Sequence, residues 1–158
     1  MRTTMMYINV AVLVTAVVLV FAAQAGAADE KPDTPTVLKG GKIITAEEAK
    51  ALLDKKEARF FDFRAAVNYG KGHVPTAVAL PYKGKSENKP DFDAALDEFD
   101  VSKLPADKSA KIVFYSDGPK GWKSYKAAVL AIRAGYKNVL WYRDGFDTWI
   151  AKKLPVEM

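Results

Sequence analysis

A single apolar run, Lys111-Ile-Val-Phe-Tyr115, constrains the fold of this chain more than any other segment. Its β-branched and aromatic residues predict a strand, and the lack of alternating polar positions predicts that both faces of that strand are buried. Strands buried on both faces lie in the middle of parallel sheets. Apolar residues then recur at helical spacing from Tyr125 to Ile132, and Gly135 should end that helix. We therefore expect a central strand, a loop and a helix in succession.

The rest of the chain alternates predicted strands with predicted helices. The capping box Thr45-Ala-Glu-Glu48 predicts that a helix begins after Thr45. Further strands are predicted over residues 59–63, 77–80 and 138–142, and further helices over residues 92–99 and 146–151. Such alternation implies an α/β fold with a mostly parallel sheet and right-handed crossovers.

The first residues have the layout of a secretory signal peptide. Arg2 precedes an almost uncharged apolar run over residues 7–21, and small residues follow over residues 22–28. Cleavage is expected after Ala25 or Ala27, because an A-x-A pattern ends at each of them. An uncleaved anchor stays open as the alternative, since the apolar stretch could extend to the roughly 20 residues that cross a bilayer.

The predicted domain organisation follows from this leader. We expect a leader over residues 1–27, a linker over residues 28–41 in which two prolines resist regular structure, and one domain over residues 42–158. If the leader is cleaved, the protein is expected to be periplasmic or secreted. If the leader is retained, the protein is expected to be anchored in a membrane by its N-terminal helix, which is the one case in which we predict contact with a membrane.

The absence of cysteine excludes several kinds of chemistry at once. The sequence contains no Cys, and His73 is its only histidine. Disulfides, thiolate metal sites, lipoprotein attachment and cysteine nucleophiles are excluded, and no set of metal ligands is evident. The net charge is +5, but the basic residues are scattered along the chain, which argues against a nucleic-acid partner. We predict no metal, no cofactor and no bound nucleic acid.

The loop after Tyr115 is the first place to look for a functional site, because ligands bind at the carboxyl ends of parallel strands. Glycine and proline favour a tight turn there, whose backbone N–H groups would suit an anion, and two lysines add positive charge. A plain connection between strand and helix, with the lysines facing water, stays open. The predicted binding loop comprises Asp117, Gly118, Pro119, Lys120, Gly121, Trp122 and Lys123.

Ser116 begins this loop but has no evident partner for hydrolysis. A serine nucleophile needs a base, and His73 lies in another predicted loop with no orienting residue beside it. No G-x-S-x-G pattern surrounds Ser116, and the chain has no P-loop. The sequence therefore does not favour a serine hydrolase.

Two motifs near the first predicted strand resemble signatures of the rhodanese family. Phe61-Asp-Phe-Arg64 and Gly72-His-Val-Pro-Thr-Ala77 are similar to the D-x-R and G-H-I-P-G-A signatures, with Thr76 replacing a glycine. The pairing of Asp62 with Arg64, and a turn position for His73, are interpreted as structural roles.

The central strand and the C-terminal segment extend the resemblance over residues 43–156. The strand before Ser116 resembles the one that delivers the catalytic cysteine of the family, so Ser116 occupies the cysteine position. Residues 135–149 resemble the closing strand and the G-x-x-x-W helix. The resemblance implies a rhodanese-like domain with a mostly parallel five-stranded sheet and helices on both faces.

The loop after Tyr115 more closely resembles the corresponding loop of one subgroup of that family. This subgroup comprises exported rhodanese-like proteins associated with alcohol catabolism that depends on pyrroloquinoline quinone. Its members have a C-x-x-C-W motif in the loop. Gly121-Trp122 is similar to the end of that motif, with both cysteines absent. Three roles stay open for the Trp122 ring: it could close the pocket, contact a partner or simply pack in the core.

The missing thiol determines which functions we expect. Family members carry sulfur as a persulfide on a cysteine, because a thiolate is a strong nucleophile and a stable sulfur acceptor, and the Ser116 hydroxyl is neither. We therefore expect a non-catalytic binding or accessory module in periplasmic sulfur or quinone-dependent oxidation metabolism. Its expected partner is a small anion, a sulfur compound or a periplasmic protein. A sulfurtransferase-related enzyme with altered chemistry is the alternative, and an interaction scaffold whose loop is vestigial is a third possibility.

Overall fold

The computed structural model describes residues 30–158, and the five strands found there form one parallel sheet. The strands are β1 (Lys42–Ile43), β2 (Arg59–Asp62), β3 (Val78–Ala79), β4 (Lys111–Tyr115) and β5 (Asn138–Tyr142). Their order in the sheet is β1-β5-β4-β2-β3, and each neighbouring pair is parallel. The α/β class and the central position of β4 are thus confirmed.

Residues 30–158 contain four α-helices, of which three lie between strands and the fourth follows β5. They are α1 (Ala46–Asp54), α2 (Ala66–Gly70), α3 (Trp122–Arg133) and α4 (Gly145–Ala151). The predicted capping box is present at α1: the Thr45 hydroxyl accepts the Glu48 N–H at 3.2 Å, and the Glu48 carboxylate accepts the Thr45 N–H at 2.9 Å. Two orphan donors at the start of α1 are therefore satisfied by side chains.

Helices cover both faces of the sheet. Along β4, Ile112 and Phe114 belong to one buried cluster, whereas Val113 and Tyr115 belong to a second, because successive side chains of a strand point to opposite faces. The first cluster is completed by residues of α3, and the second by residues of α1 and α4. This arrangement confirms the predicted layers.

The helix predicted over residues 92–99 is wrong. A single 3-10 turn, Ala94–Leu96, occupies that segment, and the Leu96 side chain that should face the core is 52% exposed. The Asp93 carboxylate accepts the Ala95 N–H at 3.0 Å, which favours a turn. Glu98 pairs its backbone with Lys83 in an antiparallel bridge, so the end of the segment is extended.

Thr76 adopts the backbone conformation that its position requires, although it replaces a glycine. Its φ of 64° lies in the left-handed region, which a β-branched residue rarely enters. The Thr76 N–H donates to the Glu157 carboxylate at 2.7 Å, which holds the turn in place. The departure from the G-H-I-P-G-A signature therefore stores local strain of about 1–2 kcal/mol.

The predicted leader, residues 1–27, lies outside the described residues. None of the helices in residues 30–158 has the length and apolar character needed to cross a bilayer. Part of the segment predicted as a linker is in contact with the domain, since Thr34 and Leu38 are both buried. Leu38 joins the cluster that α3 completes.

Candidate functional site

The strands β2 and β4 end side by side and bring their following residues to one edge of the sheet. Asp62 is paired in register with Tyr115, and the Phe63 N–H donates to the Tyr115 carbonyl at 3.0 Å. Arg64 and Ser116 come next along the two chains, so both are placed at the carboxyl ends of the strands. This is the edge where α/β sheets bind ligands.

The loop folds tightly back on Ser116. The Gly121 N–H donates to the Gly118 carbonyl at 2.8 Å, and a Cβ placed on Gly121 would lie 2.5 Å from the Cβ of Ser116. No side chain fits at Gly121 unless the loop opens. The serine side chain is consequently enclosed, and Ser116 is 5% exposed.

The first residues of α4 are hydrogen-bonded to the loop. The Phe146 N–H donates to the Ser116 carbonyl, and the Asp147 N–H donates to the Asp117 carbonyl, both at 2.9 Å. Gly145 has a φ of 66°, and a Cβ on it would lie 2.6 Å from the Ser116 carbonyl oxygen. Both the conformation and the close approach require glycine at this position.

Among the residues that the structure describes, no base hydrogen-bonds to Ser116. Its hydroxyl makes no hydrogen bond with any residue in the range 30–158. His73 is buried elsewhere: its Nδ1 lies 3.1 Å from the Tyr69 carbonyl oxygen, and its ring stacks on the Tyr69 ring with the centroids 3.8 Å apart. The arrangement gives the serine no group that could take its proton.

A cavity of about 340 Å³ opens beside the loop. Six residues of the loop segment 116–123 line it: Ser116, Asp117, Lys120, Gly121, Trp122 and Lys123. Gly118 and Pro119 do not line it; Gly118 lies against the Asp144 carbonyl, and the Pro119 carbonyl points to Thr34. Arg64 also lines the cavity, whereas Asp62 and His73 do not.

Positive charge predominates around this cavity. The cationic lining residues are Lys31, Arg64, Lys120, Lys123 and Lys126. Within residues 30–158, Asp117 is the one acidic residue of the cavity lining. Partial burial raises the pKa of Asp117; Arg64 opposes this rise, whereas the charges of Asp147 and Asp62 add to it. No cluster of three or more metal-ligating side chains occurs within residues 30–158.

Asp62 and Arg64 form a buried ion pair at the cavity wall. The guanidinium donates to both carboxylate oxygens, with Nη2 to Oδ2 at 2.7 Å, and also to the Gly72 carbonyl at 2.6 Å. It stacks 3.8 Å from the ring centre of Phe146. Burial opposes the charged form, but the hydrogen bond and the charge of Asp62 outweigh it and raise the pKa of Arg64. The pair joins β2 to the neighbouring turn and to α4.

Sequence reasoning missed a second buried pair on the other side of the cavity. Lys126, on α3, is 2% exposed, and its ammonium donates to the carbonyl and hydroxyl oxygens of Ser86 at 2.9 and 2.8 Å. The ammonium also lies 3.7 Å from the Asp97 carboxylate. Burial lowers the pKa of Lys126, and Asp97 opposes that change. The available signal was a lysine next to the predicted apolar face of α3.

Residues 31–35, which we call the strap, lie across the loop. The Thr34 N–H donates to the Pro119 carbonyl at 2.8 Å, and the Trp122 indole N–H donates to the Pro32 carbonyl at 2.7 Å. Arg143, just after β5, donates to the Pro35 carbonyl at 3.0 Å and the Thr34 carbonyl at 2.9 Å. The strap places Lys31 at the cavity.

Known proteins share this architecture. A model of the rhodanese-like domain family matches residues 45–152. The tRNA uridine(34) hydroxylase of Erwinia tasmaniensis is 32% identical over 120 residues, which cover 76% of this chain and 31% of that protein. The chain therefore spans about a third of the length of this relative.

Solved structures give the same result. The rhodanese-like domain of the Alr3790 protein from Anabaena sp. superposes with a TM-score of 0.52 and 26% identity, covering 72% of this chain and 76% of that one. Thiosulfate sulfurtransferase from Pseudomonas aeruginosa superposes with a TM-score of 0.53 and 21% identity, covering 75% of this chain and 20% of that one, which shows the fold alone. The resemblance expected from the sequence is confirmed: although it contains no cysteine, this chain belongs to the rhodanese-like domain family.

Proposed function

We propose that this domain binds a small anion, such as a sulfur oxyanion, at the Ser116 loop and does not transfer sulfur. One observation carries the proposal: five cationic side chains and one carboxylate line the cavity that the loop borders. Positive charge gathered around a concave site attracts an anionic ligand and excludes a cationic one.

The chemistry of Ser116 supports binding rather than turnover. Sulfur transfer in the family needs a thiolate, and a serine hydroxyl remains protonated at neutral pH and does not form a stable persulfide. Within residues 30–158 no base contacts Ser116, so the hydroxyl is not activated as a nucleophile. It can still donate one hydrogen bond to an anion in the cavity. No observation favours the alternative of an enzyme with altered chemistry.

Binding is tested by calorimetric titration of the purified full-length chain with thiosulfate. Lys123 lines the cavity and makes no ion pair within residues 30–158. We expect Lys123→Gln to weaken binding by about twofold to fivefold, the effect of one exposed charge. Lys39→Gln is the matched control, because Lys39 is an exposed lysine that does not line the cavity. If the unmodified protein binds neither thiosulfate, sulfate nor phosphate, the proposal fails.

Catalysis is tested separately with thiosulfate and cyanide as substrates. We expect no thiocyanate from the unmodified protein, because the thiol that would carry sulfur is missing. Activity in Ser116→Cys would indicate that the loop can still serve a thiolate. Steady turnover by the unmodified protein would contradict the non-catalytic function.

The acidic residue of the cavity should make binding depend on pH. Because its pKa is raised, Asp117 loses its negative charge as pH falls from neutral into the acid range, and repulsion of the anion decreases. Thiosulfate affinity should therefore rise as pH falls, and Asp117→Asn should bind about twofold to fivefold more tightly at neutral pH with a flatter pH profile. A steeper profile in Asp117→Asn would contradict this role.

We further propose that the domain acts outside the cytoplasm, as an accessory module in periplasmic sulfur or quinone-dependent oxidation metabolism. The pattern of residues 1–28 supports export. The similarity of Gly121-Trp122 to the end of a C-x-x-C-W motif supports the metabolic setting, in which a periplasmic protein partner is expected.

Cell fractionation with N-terminal sequencing tests the location. We expect periplasmic protein that begins at Gly26 or Ala28. Membrane-bound protein with an intact leader would indicate the anchored form, and cytoplasmic protein that begins at Met1 would contradict export.

A further inference from the structure

The cations that line the cavity differ in how their charges are compensated. The Arg64 guanidinium is paired with Asp62 at 2.7 Å, and the Lys126 ammonium lies 3.7 Å from Asp97. Lys31 and Lys123, by contrast, form no ion pair and no hydrogen bond within residues 30–158. Their charges are therefore available to an anion in the cavity.

These two lysines reach the cavity from different parts of the chain. Lys123 belongs to the first turn of α3, so its position follows from the Ser116 loop. Lys31 precedes the strap contacts and has no helix or strand to hold it. Its location depends on the hydrogen bonds that keep residues 32–35 on the loop.

The strap is held by three of its carbonyl groups, one of its N–H groups and the Thr34 hydroxyl. The carbonyls of Pro32, Thr34 and Pro35 accept hydrogen bonds from Trp122 and Arg143, and the Thr34 N–H and hydroxyl both donate to the Pro119 carbonyl. Thr34 is 3% exposed, so this residue of the strap is buried, whereas Lys31, Pro32 and Asp33 are exposed. The anchor nearest to Lys31 is the bond from the Trp122 indole to Pro32, one residue away.

We propose that Lys31 is an anion-binding residue of the cavity and that Trp122 is the residue that positions it. The inference rests on the proposed function and deepens it, because it assigns part of the binding charge to a segment outside the strands and helices. Trp122 acts through the strap: the residue is 5% exposed and its ring packs against Tyr125, while its indole N–H donates to the Pro32 carbonyl.

The consequence is a defined coupling between two positions. Trp122→Phe keeps an aromatic ring but removes the N–H, so the Pro32 carbonyl loses its donor and Lys31 is no longer held at the cavity. Lys31→Gln removes the charge and leaves the strap contacts in place. If Trp122 acts through Lys31, the loss of its N–H matters only while Lys31 carries a charge.

Calorimetric titration of the full-length chain with thiosulfate tests this coupling in four proteins: unmodified, Lys31→Gln, Trp122→Phe and the double variant. We expect Lys31→Gln to weaken binding about twofold to fivefold. Trp122→Phe should weaken it by no more than that, because Trp122 acts through the Lys31 charge. In the Lys31→Gln background, Trp122→Phe should have almost no further effect. Lys39→Gln is again the control, and thermal unfolding verifies that each variant is folded.

Each outcome has a distinct meaning. If the unmodified protein binds thiosulfate and Lys31→Gln binds it equally well, the assignment of Lys31 is overturned while the proposed function stands. If Trp122→Phe weakens binding equally in both backgrounds, Trp122 does not act through Lys31 and its positioning role is overturned. If the unmodified protein binds no anion, the proposed function fails and this inference fails with it.

Discussion

Two cations that line the same cavity are paired with buried carboxylates, Arg64 with Asp62 and Lys126 with Asp97, and both carboxylate side chains are 0% exposed. Each accepts four hydrogen bonds within residues 30–158, yet from different sources. Three of the four bonds to Asp62 come from the Arg64 guanidinium. None of the four bonds to Asp97 comes from Lys126; neutral groups of Tyr82, Lys85 and Ser86 provide them.

The comparison separates two ways of keeping a charge inside a small domain. Asp62 depends on its cation for both neutralisation and hydrogen bonds, so the two residues act as one unit. Asp97 is solvated by neutral donors, and Lys126 adds a charge at 3.7 Å that this solvation does not require. Although burial opposes it, hydrogen bonds led by those of Ser86 keep the pKa of Asp97 at about 2. The two pairs should therefore respond differently when a cation is removed.

The largest effect is expected for Arg64→Met. This change leaves the buried Asp62 carboxylate with the backbone N–H of residue 64 in place of four hydrogen bonds. Removing one partner of a buried pair costs about 3–5 kcal/mol. Urea unfolding followed by circular dichroism measures the loss, and a value below about 1 kcal/mol would show that Asp62 does not depend on Arg64.

A smaller effect is expected when acid titrates Asp97. Its folded-state pKa of about 2 lies below the ordinary value of 3.8, so its contribution is complete above pH 3.8 and is lost as pH falls through 2. The contribution amounts to roughly 2 kcal/mol. Unfolding free energies at pH 4 and pH 2 should therefore differ less in Asp97→Asn than in the unmodified protein. Equal differences in the two proteins would contradict the low pKa.

Lys126→Met should destabilise the domain by about 1–2 kcal/mol, less than Arg64→Met. Asp97 keeps its four donors, and the methionine stem retains most of the packing, but the Ser86 carbonyl and hydroxyl lose the ammonium donor. The same urea experiment gives the value. A loss equal to that of Arg64→Met would mean that both carboxylates depend equally on their cations.

The smallest effect concerns the coupling between the pairs. No hydrogen-bond partner within residues 30–158 is shared by Arg64 and Lys126. Changes at well-separated sites without shared partners add within about 0.5 kcal/mol, whereas sites coupled through a shared cavity deviate by more. The double variant Arg64→Met with Lys126→Met should therefore lose the sum of the two single losses within that margin, and a larger deviation would indicate that the cavity transmits strain between its walls.

The same contrast explains what could be predicted from the sequence. Asp62 and Arg64 lie two residues apart at the end of a strand, so a local motif reveals them, and their pairing is present in the structure. Asp97 and Lys126 meet across 29 positions, and the segment around Asp97 has an apolar spacing that falsely predicts a helix. There, backbone pairing of Glu98 with Lys83 overrides the local pattern.

The position of the site was predictable for a general reason, whereas its outer wall was not. Parallel strands present their following residues at one edge, and this rule predicted a site at the loop after Tyr115. The structure shows that the same edge also carries Arg64, because β2 pairs with β4. The contact of Thr34 with Pro119 joins residues 85 positions apart. Proline-containing segments carry no periodic signal for such docking, so the composition of residues 28–41 predicted a linker.

The close approach of Gly121 to Ser116 also limits the order in which these two positions can change during evolution. A side chain at 121 would meet the Cβ atom that serine and cysteine share at position 116, so the closed loop needs glycine at 121 with either residue. A lineage that keeps glycine at 121 retains a one-step mutational path to a thiol. A lineage that first acquires alanine there closes that path, and must restore the glycine before a thiol can return.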